Sequence, residues 1–219
     1  MKMAVEKMVN EINNYSFIDA IGKPITSYSL IIKRILDFIF GIVFLIISSP
    51  IIIVFAIIIK LTSPGPVFFA QERVGFMGKN FKVYKLRSMV PDAEVKTGAV
   101  WAQKDDPRVT PVGRFMRKTR VDELPQFWNV VRGQMSLVGP RPERPSLTQQ
   151  FFEEHSEFPK RLRVIPGITG YAQIHGGYEI TPQKKCSLDN YYIEHYSLLF
   201  DFKILLGTFR IILTGDGAR

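Results

Sequence analysis

Hydrophobic residues are spread unevenly along this 219-residue chain. Their densest run, from 35 to 59, reads ILDFIFGIVFLIISSPIIIVFAIII, interrupted by Asp37 and the central Ser48-Ser49 pair. A run of that length predicts a membrane helix. Pro50 at its centre removes a helical N–H and collides with the carbonyl four residues back, so a break is expected there. Ser48 and Ser49 can bond the freed backbone groups where no water reaches. At about 1.5 Å per residue, the halves 35–47 and 51–59 are each shorter than a hydrocarbon core of roughly 30 Å. Lys33 and Arg34 precede the run and Lys60 follows it, and such cations favour the cytoplasmic side. The pattern predicts a helix that enters the membrane, breaks at Ser49-Pro50 and returns, with a kinked single span as the alternative. Asp37 is expected to pair with Arg34, three residues earlier, near the interface.

The remaining pattern is that of a small mixed domain. Ser63-Pro64-Gly65-Pro66 is a strong turn, and PVFFAQERVG and FKVYKLRSM read as two strands joined through Gly75–Gly78. Lys82, Lys85 and Arg87 fall between apolar residues of the second strand and predict a basic face opposite a buried one. Short helical turns are expected at 91–96 and 112–118. The apolar periodicity of Leu124, Phe127, Trp128, Val130 and Val131 predicts a helix, with Asp122 at or near its start and Pro125 in its first turn. A further helix is expected around 146–155, then a Pro166–Gly170 loop and a mixed segment through Gly176-Gly177. The pattern from 184 to 213 is helical. Its last stretch, LLFDFKILLGTFRIIL, mixes Phe and Leu with Lys203 and Arg210 and fits either a membrane-interface helix or a core helix.

Composition narrows the partners. A formal charge of +9 implies an anionic partner: phospholipid, a phosphorylated ligand or nucleic acid. Nucleic acid has no aromatic-basic surface motif in its favour, and anionic lipid accounts for the same charge. The single cysteine, Cys186, excludes an internal disulfide framework and fits a reducing compartment. His155, His175 and His195 have no zinc-ligand spacing. The first 30 residues are too mixed for a cleavable signal peptide.

The candidate chemistry lies in residues 114 to 142, RFMRKTRVDELPQFWNVVRGQMSLVGPRP. Asp122 and Glu123 follow Arg114, Arg117, Lys118 and Arg120, and a tight Gly139-Pro140-Arg141-Pro142 loop comes after. Carboxylates among guanidinium groups suit phosphoryl transfer, since the acids can hold a divalent cation or attack phosphorus and the arginines grip phosphate bidentately. A helix start adds free N–H groups that attract phosphate. The alternatives are an exposed helix end with ordinary ion pairs and, for Asp122, a simple N-cap.

With these residues on view, the chain resembles the bacterial sugar transferase family, the monotopic phosphoglycosyl transferases. The resemblance runs from about residue 31 to the C-terminus through KRILDF, the Ser49-Pro50 break, SPGPVFFAQERVG, FKVYKLRSM, DPRVTPVGRFMRKTRVDELPQFWNVVRG, MSLVGPRPER and PGITGYAQIHG. It implies an α+β, mostly helical fold: a re-entrant membrane helix hairpin over 31–61, kinked at Ser49 and Pro50, and a small cytoplasmic α/β catalytic domain over 62–219 with interfacial amphipathic helices. Residues 1–30 form a short extension, too short for the additional helices or soluble domain of larger relatives, so the minimal form is expected. The implied activity is transfer of sugar-1-phosphate from a UDP-sugar to polyprenyl (undecaprenyl) phosphate, with release of UMP, at the cytoplasmic face of the bacterial inner membrane. Asp122 is implied as covalent nucleophile and Mg²⁺ ligand with Glu123 as its partner, and Arg117, Arg141 and Lys85 as phosphate-binding positions. An anionic phospholipid membrane is the implied setting, and homo-oligomerisation is compatible with it. A catalytically silent membrane adaptor is the alternative. Gln134 stands where the family commonly has an acid, and Gly177 where it often has Arg. The first bears on a structural contact, the second on sugar or nucleotide binding.

Overall fold

The computed structural model describes residues 16–91, 93, 106–176 and 180–214. The predicted turn at 91–96 falls largely outside them, and Gly177 entirely so. Helix α1, Tyr28–Thr62, is 35 residues long and, by length and composition, long and apolar enough to cross a membrane. Its buried residues include Lys33, Asp37, Gly41 and Ser48, which fall on one face, while Ile35, Phe38, Ile46, Ile47 and Ile53 are exposed. A polar inner stripe under an apolar exterior reverses the usual soluble helix.

Where the sequence predicts a break, the helix is continuous through Pro50. The local chemistry accounts for this. Ser49 Oγ donates at 2.8 Å to the carbonyl of Ile46, the group that Pro50 cannot serve, and Ser48 Oγ donates to Leu45 O at 3.3 Å. Both ends of α1 nevertheless dock on the same globular body. Near the start, Gly41 lies against Val130 and Val131. Towards the far end, Ile52, Phe55 and Ile59 pack with Leu86, Met116 and Val121.

The expected Asp37–Arg34 pair does not form. Asp37 Oδ1 accepts from the backbone N–H of Leu137 at 2.9 Å, and Arg34 donates to Val130 O at 3.0 Å. Both side chains turn inward because buried backbone groups there lack partners, which is a stronger demand than a surface ion pair. Gly133 gives Arg34 its room. A Cβ there would stand 2.8 Å from the guanidinium, and its φ of +79° favours glycine in any case.

Strands β1 (Phe68–Val74) and β2 (Asn80–Leu86) form the predicted hairpin, in register from Phe68↔Leu86 to Val74↔Asn80. The single basic face does not form. Lys85 shares the face of Phe81 and Val83, whereas Lys82 points to the other, because side chains alternate along a strand. Helix α2 (Pro111–Lys118) starts at Thr110, whose side chain accepts from Gly113 N. Helix α3 is Gln126–Val131. Strand β3 (Ser136–Val138) then pairs in parallel with β4 (Gly167–Thr169), through a connection that holds helix α4 (Pro145–Glu154). A Cβ on Gly167 would lie 2.1 Å from Gly139 N, so the two loops touch only because the residue is glycine.

Helix α5 (Tyr171–Gly176) leads to α6 (Pro182–Glu194) and α7 (Leu198–Thr214), so the helical pattern from 184 to 213 is divided at 195–197. The main core gathers Phe81, Val83, Val130, Leu137, Tyr192 and Ile204. Helix α7 buries Asp201 and Ile204 and exposes Leu199, Phe202, Leu206 and Phe209. It is therefore core on one side and bare apolar surface on the other. Lys33 Nζ bonds Asp201 Oδ2 at 2.6 Å, tying α1 to α7.

Candidate active site

The chain reverses sharply between α2 and α3. Arg120 takes a left-handed φ of 59°, an uncommon state for a residue with a Cβ that costs on the order of 1 kcal/mol. The reversal places Val121–Glu123 in a single 3₁₀ turn before Pro125, which stands at the N-cap of α3. Asp122 is therefore not a helix cap. Neither Arg120 nor Pro125 makes a side-chain capping bond, and the Asp122 carboxylate aims elsewhere.

The two acids of this turn are treated oppositely. Glu123 is gripped by two cations. Lys85 Nζ donates to Oε1 at 2.7 Å, Arg141 Nη2 bonds the same oxygen, and Arg141 Nη1 reaches Oε2 at 3.4 Å. Burial alone would raise its pKa, but the charges and hydrogen bonds of Arg141 and Lys85 outweigh it and hold the carboxyl well below the usual range. Asp122 is 7% exposed and, among the described residues, accepts no hydrogen bond. Burial, aided by the adjacent Glu123 charge, pushes it up to about 6 against the pull of Lys85, Arg117 and Arg141. It is thus an ionised carboxylate at neutral pH whose lone pairs remain uncommitted.

Of the residues singled out from sequence, Asp122, Glu123, Lys85 and Arg141 meet in this cluster. Arg117 acts on Asp122 through its charge while its Nε donates to Ser88 Oγ at 2.9 Å. Ser49 serves the backbone of α1 instead, at the carbonyl that Pro50 leaves open. Gln134 Oε1 accepts from Asn129 Nδ2 at 3.0 Å, so that departure is a structural contact. Asn129 in turn donates to Lys82 O and accepts from Tyr84 N, locking α3 to β2 beside Lys85.

Other functional groups escape sequence reasoning. Arg161 donates to Arg141 O at 2.7 Å and to Asp189 Oδ2 at 2.6 Å, and both members of that pair are almost fully buried. Arg73 donates to Pro142 O at 3.1 Å, and Lys185 pairs with Glu143. These contacts fix the backbone of the loop that carries Arg141. Burial foremost lowers the Arg73 pKa to about 10, so it remains a cation. Arg73, Lys85, Gln126 and Arg141 line a small pocket with Val83 and Pro142. Gln126 alone had a local signal, since it closes the Asp-Glu-Leu-Pro-Gln run.

A model of bacterial sugar transferases matches residues 28–215, which include every residue of this cluster. The chain belongs to the bacterial sugar transferase family. Among curated relatives of this family, it is 46% identical over 191 residues to UDP-N-acetylgalactosamine-undecaprenyl-phosphate N-acetylgalactosaminephosphotransferase of Aeromonas hydrophila, covering 86% of this chain and 45% of that one. It is 51% identical over 162 residues to a putative undecaprenyl-phosphate N-acetylgalactosaminyl 1-phosphate transferase of Bacillus subtilis, covering 74% of this chain and 87% of the relative. Identity is 41% over 209 residues with UDP-glucose:undecaprenyl-phosphate glucose-1-phosphate transferase of Klebsiella pneumoniae, covering 93% and 45%. The chain thus spans under half the length of the first and third of these family members.

Proposed function

We propose that the protein transfers a sugar-1-phosphate from a UDP-sugar to polyprenyl phosphate and releases UMP, as the first membrane step of surface polysaccharide or glycan assembly. The carrying observation is the asymmetry of the acid pair: Glu123 is saturated by Lys85 and Arg141, whereas Asp122 is buried, ionised and uncommitted. The names of the relatives supply the reaction class. A carboxylate is an established nucleophile toward phosphorus. Asp122 attacks the sugar-bearing phosphorus, the P–O bond to UMP breaks, and an aspartyl phosphosugar remains. A phosphate oxygen of polyprenyl phosphate then attacks the same phosphorus, and the bond to Asp122 breaks to restore the carboxylate. Arg117, Lys85 and Arg141 hold the phosphoryl oxygens, and Glu123 keeps the last two cations in place.

Among the described residues no cluster of three or more His, Cys, Asp or Glu could hold a metal ion by itself. Mg²⁺ nonetheless fits, because it commonly takes one or two carboxylates and completes its shell with water and substrate phosphates. Asp122 is the carboxylate with lone pairs to give, and the ion would neutralise diphosphate charge there.

The setting supports a lipid acceptor. The acid turn lies in sequence between Met116, which meets the far end of α1, and Val130, which meets its near end. Contact of both parts of α1 with one body supports an α1 that stays on one side over a full span, with the acids at the cytoplasmic membrane surface. The exposed apolar side of α7 lies in the same interface.

The test is UMP release from a panel of UDP-sugars with Mg²⁺ and polyprenyl phosphate, together with capture of labelled sugar-phosphate on the protein. Asp122→Asn is expected to lose at least 1,000-fold in turnover, about 4 kcal/mol of barrier, and to form no adduct. Full turnover in that variant would sink the nucleophile assignment. Absence of UMP release from every donor would favour a silent membrane adaptor.

A further inference from the structure

Gln126 carries a buried side-chain nitrogen that has no hydrogen-bond partner among the described residues. It is 1% exposed, its Nε2 has no hydrogen bond, and it lines the pocket shared by Arg73, Lys85 and Arg141. Leaving such a donor unmade costs about 1–3 kcal/mol, so its retention calls for a partner that the described residues do not supply. The surroundings specify the partner's chemistry. The three cations lining this pocket are each anchored by the protein: Arg73 by Gln71 and Pro142, Lys85 by Glu123, and Arg141 by Glu123 and Ile168 O. Their fixed positions favour an anion with several acceptor oxygens. A neutral donor among them adds a hydrogen bond without the mutual repulsion of a fourth cation, and without the charge cancellation that an acid would bring.

The geometry points to Gln126, with Arg73, Lys85 and Arg141, as a phosphoryl-oxygen subsite in which the Gln126 amide donates to the bound phosphate. The proposal rests on the reaction given above for the identity of that phosphate. It belongs either to the diphosphate of the donor or to the monophosphate of the acceptor, which share the same chemistry. Gln126 begins α3 and lies one helical turn beyond Asp122, so α3 holds the amide at a fixed distance from the acid turn. Here it acts as a positioning residue that receives the anion which Asp122 attacks.

The experiment uses the full chain in detergent or nanodiscs, with inorganic pyrophosphate and inorganic phosphate as probes and thermal unfolding as the readout, since ligands of the folded state raise its midpoint. Gln126→Met keeps the length and removes the amide. It is expected to leave the ligand-free midpoint unchanged or raised, because an unmade donor is gone, and to weaken pyrophosphate binding by about tenfold. Gln126→Glu is expected to abolish the protection. Weakening of both probes would assign the subsite to the phosphoryl group common to both half-reactions. Weakening of pyrophosphate alone would assign it to the donor. A structural role predicts the reverse pattern, a lowered ligand-free midpoint with binding intact, and that result would overturn the proposal. So would pyrophosphate affinity within twofold of the unsubstituted protein. If Gln126→Met does not fold, Gln126→Asn, which withdraws the amide by one methylene, reads the same two quantities. Protection by pyrophosphate needs no turnover. A protein that binds it through Gln126 yet releases no UMP would therefore lose the reaction and keep the subsite.

Discussion

Two buried clusters of charge meet at Arg141, and they follow opposite rules. On the backbone side, Arg161 is bonded to Asp189 at 2.6 Å and Lys185 to Glu143, so each charge has an opposite within reach. On the side-chain side, Glu123 is equally well served, but Asp122 next to it is buried and takes no hydrogen bond among the described residues. Charges buried in pairs build the frame of the loop. A carboxylate buried beside cations that bond elsewhere keeps its lone pairs free, and strongly perturbed groups of this kind cluster where reactivity is used. The difference separates the frame from the reacting group within a few residues.

The contrast can be broken at its frame. Arg161→Met should leave Asp189 buried and unpaired and cost about 3–5 kcal/mol in denaturant unfolding, while the double replacement with Asp189→Leu should recover most of it. A single substitution costing under 1 kcal/mol would show that the pair is not structural. The opposite sign is expected at the reacting group. Asp122 has a folded pKa of about 6 against an ordinary 3.8. Its contribution to stability is therefore intact below the unfolded value and is lost as pH rises through the folded one. In the absence of divalent cation, Asp122→Asn should be more stable than the parent by about 3 kcal/mol at pH 8 and by about half that at pH 5. A gain independent of pH would remove the titration argument. The smallest effect is expected outside both clusters. Ser49→Ala should uncover the Ile46 carbonyl, which Pro50 cannot serve, and cost about 1 kcal/mol of thermal stability, whereas Ser49→Thr should retain it.

Much of this arrangement is readable from the residues alone, and the unreadable part has a common cause. The hairpin and the apolar run of α1 carry clear patterns, α2 and α4 show as short helical stretches, and the acid pair with Lys85, Arg117 and Arg141 carries a recognisable motif. Local pattern reports how a segment is buried, but not which distant group completes it. Asp37 could be assigned only a neighbour such as Arg34, because Leu137 lies 100 positions away. The parallel pair β3–β4 has three residues per strand, too few for alternation to register. Lys85 turns inward because the Glu123 carboxylate waits there, and a strand pattern cannot show that. Arg161 and Asp189 sit in segments whose spacing suggests nothing beyond solvent exposure.

The link between Lys33 and Asp201 spans 168 positions of the chain and has a consequence for biosynthesis. A ribosome releases α1 early, with its ammonium and the Asp37 carboxylate still without counterparts. Asp37 waits for Leu137, and Lys33 waits for Asp201, 168 positions later. Throughout that interval the first turns of α1 carry two charges that lack the partners they have in the folded protein. Strand β3 receives Asp37 first, and the polar inner stripe of α1 is closed only when α7 arrives to take Lys33.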